Sequence, residues 1–355
     1  MKAGKSLQEL AAEIDRQNKV KKDYIANTGE MMMMVSEYGG EKEKGAPLLS
    51  LPNMEPFAIN EIAHNQIGEK LGIPSRYYDR MRLEQPELLA ENVNTWFRQE
   101  PSRRMVRTLD GTARAFLSER YRRIDNHEIA QAIFPMIADM QGATVESCEI
   151  TEKRMYLKVV NPRVTTEITK GDVVQSGLLI SNSETGLGSV SVMPLVYRLV
   201  CTNGMIAADS GKRKFHSGRT NESDDGYEIY RDETIAADDR AFVMKLQDIV
   251  RATADSVQFE RIVTAMKTGT TVKITGDVPG VVELASKNYG LFEKESQGVL
   301  DFLIRGGDLS LYGLANAVTR QAQEVKSYDR STELEMTAWQ MLNMSRREWE
   351  QINAA

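Results

Sequence analysis

Two long apolar-rich runs with partial alternation, separated by turn-forming residues, fill Asp172 to Met205, and this constrains the fold more than any other feature. A period of two presents one face of a strand to a core and the other away from it. Val173–Ser181 and Ser189–Val200 therefore read as strands joined by the turn Glu184–Gly188. Thr202-Asn203-Gly204 closes the second run, and Asn-Gly is the dipeptide that most readily supplies positive φ at a tight turn. Val145–Ile150 and Arg154–Val160 alternate in the same way around Thr151-Glu152-Lys153, with Pro162 expected to break the second strand.

Around this unit the period changes to 3.6. Residues 6–19 fit a short amphipathic helix, followed by a polar stretch whose run Met31–Met34 suits a flexible apolar plug. The segment 39–45 is glycine-rich and charged, as a loop is. Pro56 to Phe97 has a helical pattern, interrupted by Gly72-Ile73-Pro74 with Ser75 as an N-cap. Asp110-Gly111 marks a β-hairpin over Val106–Leu117, and His127–Met140 has one apolar helical face. A long helix is expected over Ala236–Met266, and a final helix pair over Leu311–Met344.

The fold class expected is α+β: an antiparallel β-hairpin sheet over about 145–205 packed by helices, with helical N-terminal and C-terminal regions. The divisions expected are 1–50 (helix and flexible polar segment), 51–100 (helical), 101–270 (central α+β, with a mobile loop over 208–234) and 271–355 (helical).

Composition removes several function classes. The 355 residues carry a net charge of -6, so contact with a polyanion must come from a local basic patch. Only Cys148 and Cys201 are present, which leaves no disulfide framework and no C-x-x-C metal pair. His64, His127 and His216 are not spaced for a shared metal, and His127 reads as part of a helix cap. No phosphate-cradling P-loop occurs, and Gly186-Leu187-Gly188 sits in a hairpin turn instead of opening a helix. No cofactor and no metal site is expected. Without an apolar run of roughly 20 residues or a signal-peptide core, a cytoplasmic location in a bacterial host cell is expected, with no membrane contact.

Three stretches could carry function. Seven arginines between Pro101 and Arg123 face only Asp110 and Glu119, leaving a local surplus of five positive charges. Arginine suits bidentate phosphate contact, and Phe116 and Tyr121 offer flat surfaces for bases. The plain alternative is a charged hairpin whose arginines pair with acids elsewhere in the chain. The second stretch is the basic loop Lys212–Arg219, with Lys212, Arg213, Lys214 and Arg219, whose acidic continuation favours self-neutralisation. The third is Ile62–Met81, laid out as a helix-turn-helix or as an ordinary helical hairpin.

Five phrases carry a resemblance. They are Ile73-Pro74-Ser75-Arg76-Tyr77-Tyr78, the run from Phe116 to Asn126, Asn182-Ser183-Glu184-Thr185-Gly186, the run from Tyr197 to Gly204, and the run from Leu311 to Thr319. Together they resemble the phage- and plasmid-borne family catalogued as domain of unknown function 932, over roughly Pro56 to Met344. The resemblance implies a mobile-element setting and no established reaction. The order of helix, hairpins and long helix is also similar to single-strand annealing folds of phage recombination proteins.

The function expected is non-catalytic binding or annealing of single-stranded DNA in recombination or replication, by a homo-oligomer. Arg114, Arg120, Arg122, Arg123, Arg198, Lys212, Arg213 and Lys214 would contact phosphates, with Phe116 and Tyr121 stacking on bases. The resemblance adds Asn182, Ser183, Gly186, Cys201, Asn203 and Gly204, with a site expected around Asn182, Arg198 and Asn203. The alternatives are a regulatory or host-takeover protein that binds a phage or host protein, and a metal-dependent nuclease.

Overall fold

Two six-stranded, mainly antiparallel sheets organise the computed structural model, which describes residues 1–36, 45–188, 190–210, 212–214, 232–253 and 256–354. The chain begins with α1 (Leu7–Val20), held by a capping box in which Ser6 and Glu9 satisfy each other's backbone N–H groups. The strands β1 (Lys22–Asn27), β2 (Met32–Val35), β3 (Pro47–Ser50) and β4 (Phe57–Ile59) follow. Three helices come next: α2 (Glu61–Lys70), α3 (Ser75–Glu84) and α4 (Pro86–Gln99). The hairpin β5 (Arg103–Leu109) and β6 (Thr112–Ser118) completes the first sheet, in the order β1-β5-β6-β4-β3-β2.

This first sheet is the main departure from expectation, since the polar segment and the start of the helical region contribute four strands. The Met run is one of them. Met31 and Met33 are buried while Met32 and Met34 are exposed, the period of two that a strand requires. Phe57 likewise opens β4, which pairs in parallel with β6 through Ala58 and Thr112. The helices α2, α3 and α4 cover one face, where Ile67, Tyr78, Leu89, Val93 and Phe97 close over Met33, Leu49, Val106 and Phe116. Ser75 is the first helical residue, not the cap; Pro74 holds the cap position, and the helix end has no side-chain cap. The Asp110-Gly111 turn forms as expected, with positive φ at both residues.

Helix α5 (Asn126–Asp139) leads into the second sheet, which contains β7 (Thr144–Ile150), β8 (Met155–Glu167), β9 (Val173–Asn182), β10 (Val190–Arg198), β11 (Asn203–Ile206) and β12 (Lys212–Lys214). The order is β11-β10-β9-β8-β7, with β12 on the same edge of β10 as β11. Pro162 does not end β8; the register slips between Asn161 and Thr165 and the strand then continues. Pro194 sits in β10 between the positions that pair with β12 and those that pair with β11. The positive φ after β10 falls on Thr202, because Asn203 and Gly204 already belong to the β11 ladder.

Helices α1, α5 and α6 (Asp232–Thr253) pack on one face of this sheet through Leu10, Ile133, Leu157, Ile180 and Leu246. The other face carries a helical layer: α7 (Ser256–Thr271), α8 (Val278–Asn288), α9 (Glu293–Gly306), α10 (Leu311–Glu324), α11 (Tyr328–Leu342) and α12 (Arg346–Ile352). The span expected as a long helix, Ala236–Met266, is covered by α6 and α7, with residues 254–255 between them outside the described residues. The expected α+β class holds, as does a helical C-terminal region. Residues 215–231, the greater part of the loop expected over 208–234, lie outside the described residues, as do residues 39–44 of the expected 39–45 loop. No helix among the described residues is long and apolar enough to cross a membrane.

Candidate functional site

The arginine hairpin is buried on both faces. One lies under α2–α4; the other meets the second sheet, where Arg107 and Arg114 find partners. Arg107 is 0% exposed, which a guanidinium tolerates only when its donors are answered. Its Nε donates to Asp23 at 2.8 Å, Nη2 to Asp125 at 2.7 Å, and Nη1 to the Glu184 carbonyl at 2.9 Å. Arg114 donates to the Glu184 carboxylate at 2.6 Å. The other oxygen of Glu184 accepts the Asn126 backbone N–H at 2.6 Å, so a residue 58 positions away supplies the anion at the start of α5. Asp125, at the N-cap position itself, makes no cap bond because its carboxylate is taken by Arg107 and Lys21. Burial opposes the Asp125 charge, yet the charges of Arg107 and Lys21 prevail and lower its pKa to about 2.

The phrase from Asn182 to Gly186 docks onto this centre. Asn182 is fully buried and donates to the Ile124 carbonyl and to Asn126 Oδ1. Ser183 Oγ accepts the Leu187 N–H at 3.2 Å, and Gln66 bridges the Thr185 carbonyl and the Phe116 N–H. Gly186 has φ +80° and would place a Cβ 2.5 Å from Leu117, so the close approach and the backbone both call for glycine.

This geometry reassigns part of the expected nucleic-acid surface. Arg114 is a buried ion-pair partner, and Phe116 is 3% exposed and stacked on Phe97, so neither reaches a phosphate or a base. Tyr121 is half-buried and donates to the Ser183 carbonyl, which ties its hydroxyl to the second sheet. Arg122 pairs with Asp238. Arg120 is exposed, and Arg123, over half exposed, stands 3.5 Å from Asp23. The plain alternative, pairing with acids elsewhere in the chain, describes Arg107, Arg114 and Arg122, and also the partly exposed Arg123 beside Asp23.

The three residues expected to mark one site stand in two places. Arg198 pairs with Val174 at the start of β9, whereas Asn182 ends that strand, which at strand rise separates them by roughly 26 Å. Strand β12 belongs to the Asn182 end: Arg213 pairs with Ser191, which itself pairs with Ser181. At the far end Arg198 Nε donates to Asp172 at 2.5 Å, and Tyr312 donates to the other Asp172 oxygen at 2.8 Å. Burial works against the Arg198 charge, and the Asp172 hydrogen bond overcomes it and raises the pKa. Asn203 donates to Thr319, Gly204 lies in the β11 ladder beside it, and Cys201 Sγ accepts from Arg198 Nη1 at 3.4 Å. Asp23 and Gln66 were not singled out in the sequence, and Glu184 and Tyr312 only as members of longer phrases, because their partners are distant in the chain. Among the described residues no group of three or more His, Cys, Asp or Glu side chains could hold a metal ion.

Comparison with curated proteins and with solved structures gives no match. A family model described as Domain of unknown function (DUF932) matches residues 115–349, beginning within β6 and so leaving most of the first sheet and the Ile73–Tyr78 phrase outside it. Covering well over half of the 355 residues, that match shows that the chain belongs to the DUF932 family.

Proposed function

We propose that the protein binds single-stranded nucleic acid without catalysis, through phosphate contacts at the Asn182 end of the second sheet. What supports this reading is one juxtaposition. Asn182 holds the segment carrying Arg120 and Arg123, and the β12 register sets Lys212, Arg213 and Lys214 two strands away from Ser181 on the same end. Basic positions from two distant stretches of an acidic chain thus share one edge. A phosphate backbone makes contacts of this kind without reading sequence.

Burial of Phe116 takes that ring out of the proposal and leaves electrostatics as its main basis. Binding is then tolerant of sequence and steep in salt. A gel-shift titration on single- and double-stranded oligonucleotides of equal length tests it. Retardation of the single strand at low salt is the expected outcome; no retardation below micromolar protein overturns the proposal. Assembly along the strand belongs to the same proposal, and light scattering with and without oligonucleotide reads it.

A further inference from the structure

The phrases Tyr197–Gly204 and Leu311–Thr319 take no part in the surface just proposed, yet the fold brings them together. The turn after β10 meets the loop between α9 and α10, enclosing a cavity of about 230 Å³. Three arginines from three elements line it: Arg198 from β10, Arg305 from α9 and Arg320 from α10. Asp308 is the one carboxylate in the lining, and it stands 3.7 Å from Lys273. The cavity wall is therefore strongly cationic in a protein of net charge -6.

The three guanidinium groups differ in how far they are committed. Arg198 is fixed by Asp172, which Tyr312 holds from behind. Arg320 lies over the Phe302 ring at 5.3 Å, donates to Gln323 and stands 3.5 Å from the exposed Glu324. Arg305 is exposed at the rim, and no hydrogen bond or ion pair engages it among the described residues. Two arginines are thus pre-positioned while a third keeps its donors open, an arrangement suited to an incoming anion.

The geometry points to a binding site for a small phosphate-bearing anion between the β10–β11 turn and the α9–α10 loop. A planar carboxylate is satisfied by one guanidinium fork, whereas a tetrahedral phosphate uses donors arriving from several directions. The volume accommodates a phosphate group, and the side open to solvent leaves room for the rest of a phosphate ester. Asp172 and Tyr312 act as positioning residues for Arg198. Cys201, also in the lining, is a built-in reporter, since Cys148 is buried.

The test uses the full chain and inorganic phosphate, with malonate as the carboxylate control. Phosphate should raise the melting temperature and slow alkylation of Cys201 several-fold, with malonate much weaker. The double variant Arg305→Ala/Arg320→Ala should lose both responses while melting, without phosphate, close to the parent. Arg305→Lys should respond weakly, having charge without the fork. A nucleoside 5′-monophosphate separates the sources: displacement of phosphate by it assigns an ester, and failure to displace assigns the free anion. Equal responses in the parent and the double variant, or no response in the parent, would overturn the site. Oligonucleotide binding should persist in the double variant, because the two regions lie at opposite ends of the sheet.

Discussion

Arg114 and Glu184 meet at 2.6 Å where the two sheets face each other, both nearly excluded from solvent. The same carboxylate caps α5 through the Asn126 N–H, so a single acid ties the hairpin β5–β6, the β9–β10 turn and a helix start together.

Breaking that pair should be costly. Glu184→Gln keeps the shape and an acceptor for Asn126 but leaves the Arg114 charge buried without an answer. Loss of one partner of a buried pair typically costs about 3–5 kcal/mol, and urea unfolding should show a fall of that order. Adding Arg114→Met to Glu184→Gln should restore part of it. A single variant as stable as the parent contradicts this role for Glu184.

Gly186→Ala should destabilise by about 1–3 kcal/mol, from a side chain at φ +80° and from the contact with Leu117. Shortening Leu117 to Ala in the same chain relieves the contact but not the backbone strain. Thermal unfolding of the two single variants and the pair separates the contributions.

His64 gives stability a pH dependence. Burial, with the Arg82 charge second, lowers its pKa from 6.5 to about 4, and the ring stays neutral against the Tyr78 hydroxyl at 2.9 Å. The unfolded chain takes up a proton near pH 6.5 and the folded chain only near pH 4. Stability is therefore fully present above pH 6.5 and falls as pH drops from 6.5 to 4, by at most about 3 kcal/mol from this residue. Denaturation midpoints across that window should flatten in His64→Gln; an unchanged pH slope contradicts the assignment.

The second sheet was legible because its strands are apolar-rich runs bounded by turn residues, although helices on both faces bury β9 and β10 almost throughout instead of on alternate residues. The Asp110-Gly111 hairpin was legible for the same reason, with both residues at positive φ. The strand Met32–Val35 was not, since the four identical residues Met31–Met34 display no alternation until burial of Met31 and Met33 supplies one. The arginine stretch was visible as charge, but not its destination. Whether a guanidinium faces solvent or an acid depends on chain segments far away, as Asp23 and Glu184 are from Arg107. Asn182 and Arg198 looked like neighbours because a hairpin joins them, and the length of β9 and β10 sets them at opposite ends.

Basic positions at the Asn182 end are proposed to hold a single strand by its phosphates. Fluorescence anisotropy of a labelled single-stranded oligonucleotide, measured across salt concentrations, tests it on the parent and on a variant with Arg120, Arg123, Lys212, Arg213 and Lys214 changed to Ala. For single strands the logarithm of affinity falls against that of salt with a slope of about −0.7 per phosphate contact. The account predicts salt-sensitive binding by the parent, and in the variant weaker binding with a slope shallower by about two to three contacts. Absence of binding at low salt, or a variant whose slope equals that of the parent, would contradict it.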